Sequence, residues 1–429
     1  MNALWLYAAL LALVMAAYLW RHRRRQTRHA DELKQAVAAG LVEPPSLHPV
    51  VDKRACIGSG SCVAACPEQA LGLVGGKATL INASACIGHG ACFAACAFDA
   101  IKLVFGTERR GIDIPHVTPQ FETNVPGIFI AGELGGMGLI RKAAEQGRQA
   151  MDSIRRRPRG DADLDVVIVG CGPAGLSAGL SALQHGLRYR LIEQEASLGG
   201  AVFHYPRHKV AMTAPVQLAL VGAVKFDEVR KERLLEFWNS VVQRTGLQIH
   251  FQECLQDIGR DGDGFVVHTS AGHHRTRSVL LAMGRRGTPR KLGVPGEDVA
   301  KVVYRLIDPA QYAGQAVLVV GGGDSALEAA LALAEQPGTE VTLSYRSQAF
   351  SRVKPRNRQQ LDQAQHDGRV RVLLQSVVTS IDDDHVTLQH DEQALQLRND
   401  AVIVCAGGLL PTPLLQKVGI RFETKFGTA

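Results

Sequence analysis

Residues 165–200 read DVVIVGCGPAGLSAGLSALQHGLRYRLIEQEASLGG. Val166–Val169 is an unbroken apolar run, the pattern of a buried strand. Gly170, Gly172 and Gly175 follow as G-x-G-x-x-G, and the stretch behind them predicts a helix. A second strand ends at Glu193, ahead of Gly199 and Gly200. Glycines in this order permit a tight turn and let a pyrophosphate approach the helix N-terminus. An acid about 20 residues on accepts hydrogen bonds from a ribose. A lone glycine pattern carries little weight. Strand, turn, helix, second strand and acid together predict a dinucleotide-binding α/β unit.

A second such unit lies at 316–347, AVLVVGGGDSALEAALALAEQPGTEVTLSYRS. Val317–Val320 predicts its strand, and Gly321, Gly322 and Gly323 its turn. Asp324 and Ser325 open the helix, which is expected over 325–335. Its second strand ends in Arg346 rather than an acid, and Arg352, Lys354, Arg356 and Arg358 come next. Basic residues there suit a 2′-phosphate, which favours NADPH and leaves NADH open. The competing reading is a solvated basic loop.

The chain has 429 residues and nine cysteines, six of them between Cys56 and Cys96. Such crowding is no disulfide framework and points to a metal cluster in a reducing compartment. The six fall into two copies of one pattern. Cys56-Ile-Gly-Ser59-Gly-Ser-Cys62-Val-Ala-Ala-Cys66-Pro67 is the first; Cys86-Ile-Gly-His89-Gly-Ala-Cys92-Phe-Ala-Ala-Cys96-Ala97 is the second. ALGLV and AIKLVF, which follow them, are expected to be short strands. Zinc takes paired ligands at C-x2-C spacing, which this pattern lacks. The other cysteines, Cys171, Cys254 and Cys405, stand singly, the first and last on apolar ground.

Residues 50–105 resemble the bacterial two-cluster ferredoxin family, whose run is C-x2-C-x2-C-x3-C-P. The resemblance implies two iron–sulfur clusters, one on Cys56, Cys62 and Cys96, the other on Cys86, Cys92 and Cys66. The chain departs from the family where a second ligand is expected, with Ser59 in one loop and His89 in the other. Three outcomes stay open: three-iron clusters (3Fe–4S), four-iron clusters (4Fe–4S) with Ser or His on the fourth iron, or an open iron.

Residues beyond about 106 resemble the thioredoxin-reductase-like flavoproteins. LLAMGRRGTPRKLGVPGED (280–298), with Gly284, resembles that family's crossover from the FAD domain to the NAD(P) domain, and DAVIVCAGGLLPTPLLQKVGI (400–420) its return. Thioredoxin reductases carry C-x-x-C ahead of the second glycine turn, where this chain has KVVYRLIDPAQYAGQ. The ferredoxin–NADP reductases of the same fold also lack it and are the closer resemblance. The family's last FAD-binding segment normally ends the chain. Here it stands early, as GIDIPHVTPQFETNVPGIFIAGELGGMGLIRKAAEQGRQAM (111–151). That order reads as a circular permutation, with the old termini joined through 155–163. The resemblance implies that Gly132 and Glu133 meet the flavin chain. It also implies that the helix starting near Ile140 aims its positive end at the flavin ring. A homodimer is implied as well.

Residues 3–20, ALWLYAALLALVMAAYLW, carry no charge, Pro or Gly. As a helix they span about 27 Å, close to the roughly 30 Å of a bilayer's hydrocarbon layer. RHRRR follows at once. A single-pass transmembrane anchor is therefore expected, with the catalytic domains in the cytoplasm. Arg21, Arg23, Arg24, Arg25 and Arg28 supply most of the net charge of +7. A nucleic-acid surface would spread basic residues over a folded domain, so that class is excluded.

The expected order is an anchor (1–22), a linker (23–48), an α+β ferredoxin-like domain (49–105) and a displaced segment of the FAD domain (106–158). The FAD domain proper (159–290), the NAD(P) domain (291–398) and a return to the FAD domain (399–429) follow. The fold class is α/β with two Rossmann-like domains. The expected function is electron transfer between NAD(P)H, FAD and fused iron–sulfur clusters, to a redox partner protein or a small-molecule acceptor. Two other functions fit. One is a flavin-dependent reductase of a small molecule or disulfide, fed by the clusters. The other is a membrane-bound redox sensor.

Overall fold

The computed structural model describes residues 2–427 apart from 39, 45, 46, 109, 137, 159, 206–208, 214, 227, 286–288, 352, 392, 409 and 410. For residues 2–4, 6 and 212 only the backbone is described.

The first unit of the sequence forms a four-stranded parallel sheet. Its order is Ile128–Ile130, Val279–Leu281, Val166–Val169, Tyr189–Ile192. The two central strands, Val279–Leu281 and Val166–Val169, are almost wholly buried, as covered parallel strands require. Helix Pro173–Gln184 crosses between the last two strands, and Pro173 sits at its first turn, where no N–H is missed. Helix Ile140–Ile154 packs against it through Ala143, Ala144, Gly147, Ala150 and Met151. A Cβ on Gly147 would lie 2.0 Å from the Ala174 carbonyl oxygen, so only glycine admits this crossing.

The second unit is a five-stranded parallel sheet ordered Val302–Val303, Ala401–Val404, Ala316–Val320, Glu340–Tyr345, Val370–Leu374. Its helix is Asp324–Ala334, and Pro355–His366 lies beside it. The chain then returns to the first unit. Phe422–Lys425 pairs antiparallel with Ile112–Pro115. Segment 112–154 therefore supplies a strand and a helix to the first unit, and its strand Ile112–Pro115 also meets the chain's last one.

The cysteine-rich part is a small two-fold repeat. Strand His48–Val51 pairs with Ile101–Val104, and Leu71–Val74 with Lys77–Leu80. One short helix follows each cysteine loop, at Ser61–Ala64 and Ala91–Ala94.

The expected transmembrane anchor is not supported. Among the described residues no helix is long and apolar enough to cross a membrane. The N-terminal helix carries Arg21, Arg23, Arg24, Arg25 and Arg28 through its middle turns, directly after the apolar stretch. The membrane partnership and the single-pass localisation fall with it. The same helix continues to Ala38, so most of the expected linker is helical. Its residues 22–38 contain no Pro or Gly to stop a helix. This second half packs on the cysteine module: buried His29 accepts a hydrogen bond through Nδ1 from the Leu73 N–H at 2.9 Å. Gln26 accepts another from the Gly76 N–H.

The Gly147 contact gives a direct test. Gly147→Val should cost about 1–3 kcal/mol by overpacking and lower the thermal unfolding midpoint. Gly160→Ala, at a position with nothing within 4 Å of the added carbon, should leave it unchanged. Equal midpoints for both variants would contradict the close helix crossing.

Candidate active site

The first glycine turn is sterically closed on its protein side and open on the other. Gly170 has φ +100°, and a Cβ there would meet the Ala282 carbonyl oxygen at 2.7 Å. A Cβ on Gly175 would lie 1.8 Å from the Gly170 oxygen. Gly172 instead faces Gly200, its nearest neighbour at 3.9 Å, and no side chain caps the helix that Gly172 starts. Gly200 packs directly on Gly172, a Cβ there lying 3.0 Å from the Gly172 Cα, and the free N–H groups at the start of helix Pro173–Gln184 suit a pyrophosphate. Glu193, 6% exposed, lies behind the turn. Its carboxylate accepts from the Cys171 N–H at 2.7 Å and the Glu195 N–H at 3.0 Å. Burial pushes its pKa above the usual carboxylate range, and those two hydrogen bonds work against the shift. Each carboxylate oxygen keeps a lone pair for a ribose hydroxyl. These residues fit the adenosine end of FAD.

The other end opens into a wide cleft. Gly138, Leu139 and Ile140 line it, and the helix they introduce has no side-chain cap. Gly132 has φ +82°, and its N–H donates to the Gln146 side chain at 2.8 Å. The Glu133 carboxylate faces both Gly138 and Gly284. Arg285 lines the same cleft, half-buried, and donates to the Asp113 carbonyl at 2.9 Å. Burial lowers its pKa, while Glu133 and Asp113 pull it back up. Sequence reading missed Arg285, because an arginine after a glycine turn carries no signal until tertiary packing buries it.

The second glycine turn is built alike. Gly321 is closed off by the Cys405 carbonyl at 2.5 Å, and Gly322 by the Tyr345 ring at 2.0 Å, measured to an added Cβ. Gly323 has nothing within 4 Å and starts its helix uncapped. Asp324 is engaged elsewhere: it accepts from the Lys354 N–H at 2.9 Å and from the Asn357 amide at 2.8 Å. It thereby holds a basic loop against the helix. Ser325 and Arg346 are exposed. Arg352 lies outside the described residues. Lys354, Arg356 and Asn357 reach the shared cleft, where Lys209 of the first unit pairs with Glu328 of the second at 2.8 Å. Those cross-unit contacts carried no sequence signature.

The six repeat cysteines divide between two small cavities. Cys56, Cys62 and Cys96 line one, together with Ser59; Cys66, Cys86 and Cys92 line the other, together with His89. The last cysteine of each run, Cys66 or Cys96, lies in its neighbour's cavity. Both cavities rest on glycines with positive φ, Gly58 and Gly60 in one loop, Gly88 and Gly90 in the other. The Cys56 sulfur accepts from the Ala78 N–H at 3.4 Å. Burial raises the pKa of Cys62 and Cys92, and pushes the Cys86 thiol up to about 11. Thiols so buried need bound iron to hold them as thiolates. Among the described residues no three His, Cys, Asp or Glu side chains converge on a single ion. The donors surround two cavities, which is the arrangement a cluster requires. Cys171 is wholly buried and Cys254 exposed, with no other cysteine placed in either cavity.

Two glycine-turn units opening on one cleft, beside paired cysteine cavities, define a two-dinucleotide flavoprotein fused to an iron–sulfur module. Residues 167–427 match the family described as pyridine nucleotide-disulphide oxidoreductase, and residues 48–97 match a 4Fe-4S dicluster domain. The chain belongs to the pyridine nucleotide-disulphide oxidoreductase family and is an FAD-dependent NAD(P)H oxidoreductase carrying an iron–sulfur domain. It is 27% identical over 267 residues to the bacilliredoxin reductase Bdr of Bacillus subtilis, covering 61% of this chain and 82% of that protein. It is 30% identical over 271 residues to a ferredoxin–NADP reductase of Thermus thermophilus, covering 60% and 77% respectively. Among solved structures it is similar to the bacillithiol disulfide reductase Bdr of Staphylococcus aureus, with a TM-score of 0.54 and 25% identity over 60% of this chain and 80% of that one.

Two variants test the pockets. Glu193→Ala should purify with several-fold less FAD, measured by the ratio of flavin to protein absorbance. Gly58→Ala would bring a methyl group within 2.0 Å of the Gly76 carbonyl oxygen and should lower the iron content relative to wild type. Full flavin in the first, or full iron in the second, would contradict these placements.

Proposed function

We propose that the chain is a ferredoxin–NADP-reductase-like enzyme that takes hydride from NADPH and delivers single electrons through its own iron–sulfur module. One observation carries this reading: loops of the cysteine module, including Glu68, Ala85 and Ile87, line the same cleft as Gly138, Ile140 and Asn357. Bound FAD supplies the exchange between a two-electron hydride and one-electron carriers.

The protein's part is binding and orientation. Gly170, Gly172, Gly175, Gly200 and Glu193 hold the adenosine and pyrophosphate of FAD. Gly132, Glu133, Gly284 and the uncapped helix at Ile140 face its ring end. The partial positive charge of that helix and the Arg285 guanidinium stabilise negative charge there. Gly321, Gly323, Asp324 and Ser325 form the NADPH turn. Arg346, with Arg352 and Arg356, meets the 2′-phosphate. Cys56, Cys62 and Cys96 hold one cluster and Cys66, Cys86 and Cys92 the other, with Ser59 and His89 as candidate fourth ligands.

Circular permutation accounts for the chain order. Its support is that the family match starts at residue 167, while strand Ile128–Ile130 lies in the same sheet as Val166–Val169. The division into domains at 105, 158, 290 and 398 follows from it. The Bdr likeness favours a second reading, reduction of a disulfide at the flavin.

Cys86→Ser separates the two readings. Under the main reading it leaves NADPH–ferricyanide turnover at the flavin near wild type and lowers NADPH-driven reduction of a one-electron carrier protein at least tenfold. Unchanged carrier reduction would remove the module from the path. Arg346→Ala with Arg356→Ala should raise KM for NADPH about tenfold and leave KM for NADH within about twofold, each loss of a charged hydrogen bond costing about 1.5–3 kcal/mol before solvent screening. Equal effects on both coenzymes would contradict the 2′-phosphate assignment.

A further inference from the structure

The cysteine module is a repeat, so each of its faces has a twin. The face around Cys86 is covered. Ala83, Ser84 and Ala85 ahead of that cysteine are buried, Ile87 after it is half-buried, and Glu68 reaches the cleft. The twin face around Cys56 is open. Lys53, Arg54 and Ala55 stand where Ala83, Ser84 and Ala85 stand in the other copy, and all three are exposed. Ile57, the counterpart of Ile87, is 61% exposed, and Phe98, the counterpart of Glu68, is 50% exposed.

The backbone frame of the two faces is the same. Asp52 accepts from the Ala55 N–H at 3.4 Å, and its counterpart Asn82 accepts from the Ala85 N–H at 3.3 Å. What differs is the covering chemistry. The covered copy has Ala83 and Ser84 in place of Lys53 and Arg54, packs its Gly88 against Leu47, and keeps Glu68 at the cleft. The open copy keeps two apolar side chains, Ile57 and Phe98, at its cavity, with Lys53 and Lys77 beside Cys56 and with Arg54 and Lys102 beside Asp52.

We infer that the open Cys56 face is the electron exit, a docking surface for an acidic one-electron carrier protein. The inference rests on the electron-transfer reading above. By repeat symmetry the Cys66–Cys86–Cys92 cavity lies on the cleft side and the Cys56–Cys62–Cys96 cavity on the carrier side. Ile57 and Phe98 supply the apolar contact, and the nearby cations steer and orient the partner. Oxidation of one NADPH to NADP+ releases two electrons and one proton, and two carrier molecules take one electron each.

The test uses the complete, cluster-loaded protein and two probes: an acidic plant-type two-iron ferredoxin and a basic cytochrome c. Calorimetric titration should show the ferredoxin binding more tightly than the cytochrome, and weakening as salt rises. Arg54→Glu with Lys102→Glu should weaken ferredoxin binding at least tenfold at low salt. Arg398→Glu, on the far hairpin Gln393–Arg398, should not change it. Wild-type affinity in the double variant with clusters intact, or equal binding of both probes, would overturn the proposal. Hydrogen exchange on the wild-type protein gives an independent readout should the variant lose its clusters: ferredoxin should protect residues 53–59 and 96–99, and protection only elsewhere would overturn it. Binding at this face without NADPH-driven reduction of the ferredoxin would refute the electron-transfer reading underneath while leaving the docking face standing.

Discussion

The parallel pairing of Ile128–Ile130 with Val279–Leu281 sets the geometry of everything around the cleft. It is a buried ladder, and all six residues are nearly inaccessible, so its hydrogen bonds have no water to exchange with. Once it forms, Gly132 and Glu133 must emerge at the carboxyl edge of the sheet, beside the Gly170 turn. The helix from Ile140 must then lie across Pro173–Gln184, where Gly147 allows contact with the Ala174 carbonyl. The chain just before this strand leads back to the cysteine module. A sheet register thus determines which cysteine loops reach the cleft wall.

Charge in the cleft follows from that arrangement. Glu133, Arg285 and the free helix end near Ile140 meet in a region shared by both dinucleotide units and the cysteine module. Arg285 is held by a backbone carbonyl rather than a carboxylate, so its charge remains available to a bound group. Glu193 is arranged in the opposite way. Its carboxylate is committed to two backbone N–H groups that rigidify the turn, and burial makes each further donor count more. The Lys209–Glu328 pair ties the two units across the cleft. It is partly exposed, so it fixes orientation more than it stabilises the fold.

The legible part of this protein was steric. Gly170, Gly175 and Gly321 are required by carbonyl oxygens less than 3 Å from any added carbon, and such demands leave a pattern in the sequence. The cysteine repeat was legible for a related reason, since its positive-φ glycines and sulfurs recur in both copies. The N-terminal helix was misread, because apolar composition alone does not reveal that its second half docks through His29 on Leu73. Arg285, Asn357 and Lys209 were invisible because their roles come from burial and from contacts between distant segments. Asp324 was legible as a helix-start residue, yet its carboxylate serves Lys354 and Asn357.

The central claim is that electrons from NADPH pass by way of the flavin into the fused clusters. Anaerobic titration of the cluster-loaded protein with NADPH, followed by visible absorbance and electron paramagnetic resonance, tests it most directly. The account predicts flavin bleaching followed by cluster signals within the same titration. Complete flavin bleaching with clusters that respond to dithionite yet never to NADPH would contradict it.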